Sequence, residues 1–151
     1  MRIKVTIKDT LTPSLNKLAD ELLIEAAKKA VRECCFMIEQ TAKDKCPVGP
    51  DPGGDLKKSI QTEVKLEDGR VIGRVVANVE GGYAPYVHEG TGIYAENGKG
   101  RQGGWGYTDD KGVEHWTWGQ KPQPFLRDAV DERMPELKAK MDEVIQQCLK
   151  G

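Results

Sequence analysis

Apolar residues in the first third of the chain come as neighbours separated by polar pairs. Leu18/Ala19, Leu22/Leu23, Ala26/Ala27, Ala30/Val31, Cys34/Cys35 and Met37/Ile38 alternate with pairs such as Asp20/Glu21, Lys28/Lys29 and Arg32/Glu33. This is the 3.6-residue period of an amphipathic helix, held for about eight turns. Thr12 supplies an N-cap and Pro13 a first helical residue whose missing N–H costs nothing, so the helix is expected to start there. It should run to about Lys45, roughly 45 Å at 1.5 Å per residue, long enough to cross a small domain and offer its far end to a partner. The segment from Cys46 to Gly54, with three prolines and three glycines, then excludes regular structure. Ahead of the helix, Ile3, Val5 and Ile7 alternate with Arg2, Lys4, Thr6 and Lys8, the pattern of a short half-buried strand.

From Asp55 the pattern suggests one capped helical turn and then a change of period from 3.6 to 2. Ile60, Thr62, Val64 and Leu66 alternate with Gln61, Glu63, Lys65 and Glu67 up to the turn dipeptide Asp68-Gly69. A two-residue turn fixes the register: Glu67 faces Arg70, Leu66 faces Val71, Val64 faces Gly73, Thr62 faces Val75 and Ile60 faces Ala77. On the opposite face Glu63 meets Arg74, a pair worth roughly 0.2 to 1 kcal/mol.

The composition shifts between Gly81 and Gly119, which hold eleven of the seventeen glycines, all three tryptophans and all four tyrosines. Gly81-Gly82 and Gly90-Thr91-Gly92 bracket Tyr83-Ala84-Pro85-Tyr86-Val87-His88-Glu89, which reads as a short helix clamped between turns, with Tyr86 plugged between the long helix and the hairpin. His88 and Glu89 are adjacent and point about 100° apart on a helical turn, so they cannot jointly hold one proton. Ala95 to Gly104 reads as a mobile loop. Trp105 to Thr108 and Val113 to Trp118 flank Asp109-Asp110-Lys111-Gly112 as a second hairpin, in which a four-residue loop would set Trp105 opposite Trp116. Such an aromatic hairpin is either a satellite core or a surface offered to a partner. Finally Phe125, Leu126, Ala129, Val130, Met134, Leu137, Met141, Val144, Ile145 and Cys148 trace a second helical stripe, with a kink or break expected at Arg133 to Pro135.

These elements define an α+β chain: long N-terminal and C-terminal helices packed on a small, mainly antiparallel sheet, with a Gly/Trp-rich insertion at about 93–120 in a single domain spanning 1–151. Charge and cysteines narrow its function. A net charge of -1 supplies no field to hold a polyanion. No apolar run is long enough to span a membrane, and the alternating start lacks the continuous apolar block of an export signal. Cys34, Cys35, Cys46 and Cys148 form no C-x-x-C pair, which points to reduced, mostly buried thiols and an intracellular site of synthesis.

The order of motifs is itself informative: a long helix, Cys46-Pro47-Val48, Gly54-Asp55-Leu56-Lys57-Lys58-Ser59-Ile60, a hairpin, Tyr83-Ala84-Pro85-Tyr86-Val87-His88-Glu89-Gly90-Thr91, then Pro122-Gln123-Pro124-Phe125-Leu126. From about residue 12 onward it resembles the tail-completion, or head-tail joining, proteins of long-tailed bacteriophages, the gene-product-ten type. The sequence departs from many members in placing His88 before Glu89 and in its longer insert from about Ile93 to Gln120. The resemblance implies a virion protein without catalysis, whose motif residues Tyr83, Tyr86, His88, Glu89, Gly90 and Thr91 are structural; the missing ligand spacing separately leads us to expect no metal, and no cofactor is expected. It implies a homo-oligomeric ring, hexameric or larger, between the head connector and the tail tube, with DNA only as passing cargo and no membrane. Beside that reading, Tyr94, Trp105, Tyr107, Trp116 and Trp118 are the candidate assembly interface, tryptophan being enriched at interface hot spots.

Two other functions are open to these residues. A metal-dependent hydrolase would gather His88, Glu89, His115 and Asp109 or Asp110, although the H-E-x-x-H spacing is missing. A nucleic-acid module would pair Lys99, Arg101 and Lys111 with Trp105, Tyr107, Trp116 and Trp118, against the nearby charges of Asp109, Asp110 and Glu114.

Overall fold

The computed structural model, which describes residues 3–8, 17–49 and 53–150, is α+β. In chain order its elements are β1 (Ile3–Lys8), α1 (Lys17–Lys45), α2 (Asp55–Lys58), β2 (Ile60–Glu67), β3 (Arg70–Ala77), α3 (Ala84–Glu89), a 3₁₀ turn at Gly92–Tyr94, β4 (Trp105–Thr108), β5 (Glu114–Thr117) and α4 (Phe125–Lys150). A three-stranded antiparallel sheet has the order β1-β3-β2, and β4 and β5 form a separate two-stranded ribbon. The start expected at Thr12-Pro13 lies outside the described residues. The end at Lys45 is observed, and Cys46 to Gly49 then runs on without helix or strand.

The paired apolar positions of α1 exist because the helix is packed on two sides. Cys35 and Val31 lie over β3 so closely that a Cβ added to Gly73 would sit 2.5 Å from the Cys35 sulfur and from a Val31 methyl. Their neighbour Cys34 turns to α4, where its thiol donates to the Leu137 carbonyl at 3.5 Å. The helices run antiparallel: Lys45 pairs with Glu132 at 2.7 Å and the Arg133 Nε donates to the Thr41 hydroxyl at 2.7 Å. Buried Glu39 accepts from the Thr62 hydroxyl at 2.6 Å and from Lys43 at 2.5 Å, so its charge is met by both helix and sheet. Near its start α1 emerges from this packing, and Leu22 is 65% exposed. The cysteines Cys34, Cys35, Cys46 and Cys148 are free, with Cys148 half-buried. Burial pushes the Cys35 thiol up to about 12 and the Cys46 thiol up to about 11, which leaves both unreactive at neutral pH.

The first hairpin has the register that its turn requires, from Glu67 opposite Arg70 to Ile60 opposite Ala77. Asp68 and Gly69 both take positive φ, +50° and +72°, the turn whose twist matches a two-residue hairpin. Glu63 does stand opposite Arg74. The guanidinium, however, grips Glu67 at 2.6 and 2.8 Å, because a carboxylate further along the same face offers it a two-point contact. With β1 on one side and β2 on the other, β3 is central, and its residues are buried on both faces: Val71, Val75 and Ala77 toward α1, Ile72 and Val76 away from it.

Of the kink or break expected at Arg133 to Pro135, the break does not occur, since α4 is continuous from Phe125 to Lys150 with Pro135 inside it. Pro135 lies on an exposed turn, and Arg133 and Leu137 on either side are held to α1. Packing along α1 thus maintains the helix across the missing donor. Met134 is exposed and leaves the apolar stripe, its place on the α1 side taken by Arg133.

Candidate assembly site

The short helix α3 forms where the glycines allow, with Pro85 in its first turn, where its lack of an N–H does no harm. Its inward face is not the expected one. Ala84 and His88, one turn apart, are buried together with Pro85, whereas Tyr86 is 63% exposed and Tyr83 is also exposed. At about 100° per residue Tyr86 stands roughly 200° around the helix from Ala84, so burying the Ala84/His88 side turns the tyrosine outward. The aromatic ring packed on this inward face is that of buried Phe125, which meets His88 edge-on at 5.5 Å between centroids.

His88 is 8% exposed, and its Nε2 is buried without a hydrogen-bond partner. Burial holds its pKa below the usual histidine value, with the Arg127 charge acting in the same direction against Glu89, Glu96 and Asp128. A neutral imidazole packed on a phenyl ring is a core residue. His115, the other candidate ligand, is in the second ribbon, where its Nε2 meets Asp109 at 2.9 Å. That bond, with backbone N–H donors from Val113 and Lys111, holds the Asp109 carboxyl below the usual range. Among the described residues no three His, Cys, Asp or Glu side chains gather as metal ligands, so His88, Glu89 and His115 do not form one ligand set.

Two of the quoted motifs meet as a clasp. The Thr91 N–H donates to the Gln120 carbonyl at 2.9 Å, Gln120 N–H donates to the Thr91 hydroxyl at 2.9 Å, and Gln123 N–H donates to the Val87 carbonyl at 3.0 Å. Ile93 N–H adds a bond to the Trp118 carbonyl at 3.1 Å. Such backbone contact requires glycine. A Cβ would fall 2.0 Å from the Trp118 carbonyl oxygen at Gly92, 2.1 Å from that of Thr91 at Gly119, and 1.9 Å from that of Gly92 at Gly100. Arg127 of α4 ties the clasp down through Glu96 at 2.9 and 3.0 Å. The Ala95 to Gly104 segment, expected as a mobile loop, is thus anchored at its start. The remaining motifs converge nearby: Pro47, Val48, Gly54, Asp55 and Leu56 line a cleft of about 380 Å³ with Tyr83, Val87, Gln120 and Gln123.

The ribbon rises from this clasp. Its register places Trp105 opposite Thr117, Gly106 opposite Trp116, Tyr107 opposite His115 and Thr108 opposite Glu114. The loop is therefore one residue longer than expected and Trp105 does not face Trp116. Asp109 explains the difference: its carboxylate accepts from Lys111 and Val113, and its own N–H reaches the Val113 carbonyl at 2.9 Å, which draws Val113 into the loop. The aromatic residues consequently divide between two faces. Tyr107 stacks on His115 at 5.2 Å on the face that carries Trp105, over which Arg101 sits at 5.6 Å. Trp116, 67% exposed, meets Trp118 edge-on at 6.5 Å on the other. Tyr94, at the clasp, is exposed beneath Lys121 at 5.9 Å. Lys99 and Arg101 line a cleft at the base while Lys111 is in the distal loop, so the proposed nucleic-acid residues do not share one surface.

Sequence reading missed Glu96, Arg127, Gln120 and Gln123, whose roles depend on pairings across the insertion. The density of glycines was the one signal of close backbone contact there.

The most distinctive site of this α+β chain is a backbone clasp carrying an exposed aromatic ribbon. The chain belongs to the bacteriophage HK97-gp10 tail-component family, which it matches over residues 9–98. No curated protein and no solved structure matches it. It is thus a phage tail component, and no helix among the described residues is long and apolar enough to cross a membrane.

Proposed function

We propose that this tail component joins the head connector to the tail as a ring of identical subunits. The observation that carries the reading is the ribbon: Tyr107, Trp116 and Trp118 are exposed on a segment fixed by backbone contacts at its base. Exposed aromatic surface of this kind marks an interaction site, and a clasped base reduces the ordering cost of docking it. Family membership supports partners among other phage structural proteins. The role is structural and non-catalytic, in keeping with a His88 buried against Phe125 and a His115 engaged by Asp109.

Extracts of a phage lacking this chain provide the test. If the reading holds, they contain separate filled heads and finished tails, and added protein restores joined particles. A chain with residues 105–117 replaced by a short Gly-Ser linker, which retains the clasp, folds but does not restore joining. Extracts without finished tails would place the protein in tail construction instead.

A further inference from the structure

Among the described residues, clefts, the exposed start of α1 and the charged ends of the ribbon are unassigned surface features, and the ribbon and its base complement one another. At the base, a cleft of about 310 Å³ is lined by Tyr86, Trp105, Asn97, Lys99, Arg101 and glycine backbone. Its walls are aromatic and its rim is cationic. Lys99 and Arg101 are exposed, and neither forms an ion pair among the described residues. The distal half of the ribbon has the opposite character. Asp110 and Glu114 are exposed and likewise without ion pairs among the described residues, with Lys111 as the one cation beside them. Glu114 and Trp116 are two apart on β5 and so project from the same face.

We infer that the cleft at the base of one subunit receives the Glu114/Trp116 face of the ribbon from a second copy of this chain. The indole enters between Tyr86 and Trp105, and the carboxylates of Glu114 and Asp110 meet Lys99 and Arg101. One chain cannot make this contact with itself. The ribbon's four-residue strands extend about 13 Å from the cleft, and pairing between β4 and β5 prevents the tip from folding back. Made reciprocally by two chains the contact would close a dimer; made in one direction around a series of chains it is head-to-tail, the geometry that generates a ring when its rotation closes. The inference rests on the ring reading and specifies how neighbouring subunits would recognise one another.

Charge reversal tests it. Wild-type protein, Lys99→Glu/Arg101→Glu and Asp110→Lys/Glu114→Lys are compared by light scattering and sedimentation over a concentration series, with thermal melts as controls for folding. The wild type is expected to assemble. Each reversal, placing like charges together, should raise the concentration at half-assembly by more than about tenfold. An equimolar mixture of the two variants should assemble again, because each cleft then finds a ribbon of opposite charge. If the wild type assembles and either variant does so equally well, the inference falls while the ring reading stands. Two defective variants that fail to rescue one another also overturn it. Wild-type protein that remains monomeric throughout overturns the ring reading and this inference with it.

Discussion

Gly119→Ala tests whether the clasp holds the ribbon independently of the core. The new Cβ would be 2.1 Å from the Thr91 carbonyl oxygen, a backbone atom that cannot move aside as the tip of a side chain could. Gly119 also has φ +116°, which an alanine avoids. Strain of this kind costs about 1 to 3 kcal/mol, and overpacking costs about as much again. Local movement relieves part of the sum, leaving roughly 3 kcal/mol against the closed clasp, or about a hundredfold in its opening equilibrium. Native-state hydrogen exchange measures this directly at the Thr91 and Ile93 amides, which donate to Gln120 and Trp118. Both should exchange up to about a hundredfold faster, while amides of β3 slow down or speed up by far less. The global melting midpoint falls only by what the closed clasp adds to the core. Unchanged protection at Thr91 and Ile93 would refute the steric argument. Equal loss of protection in β3 would show that clasp and core unfold as one unit.

Tyr86→Ala should change the unfolding free energy by no more than about 0.5 kcal/mol, the range for an exposed position, as measured by urea titration. A loss of about 3 kcal/mol or more, expected on deleting a buried aromatic, would show that the ring is covered in the subunit. His88 should make stability depend on pH: its folded pKa lies below the unfolded value of about 6.5, so the unfolded chain binds the proton more readily. The stabilisation is complete above that value, declines as pH falls through it, and levels off below the folded pKa. Urea midpoints compared between wild type and His88→Gln across this window should show a slope in the wild type that the variant lacks, and equal slopes would exclude His88 as its source.

The sequence alone determined the elements whose contacts are close in the chain. The doublets marked α1 as one long helix, and the Asp68-Gly69 turn fixed every pair between β2 and β3, because a two-residue loop allows one register. The glycine pairs and Pro85 placed α3. The orientation of α3 required the tertiary structure. Tyr83, Tyr86 and Val87 were as good an inward face as Ala84 and His88 until Phe125, far along the chain, occupied the space beside His88. The ribbon's loop length turned on hydrogen bonds to the Asp109 side chain, and the continuity of α4 at Pro135 turned on its contacts with α1. The clasp was the least legible of all. It consists mainly of backbone groups from residues about thirty positions apart, and backbone groups carry no sequence signature; its clearest trace in the sequence is the side chains that are absent at Gly92, Gly100 and Gly119.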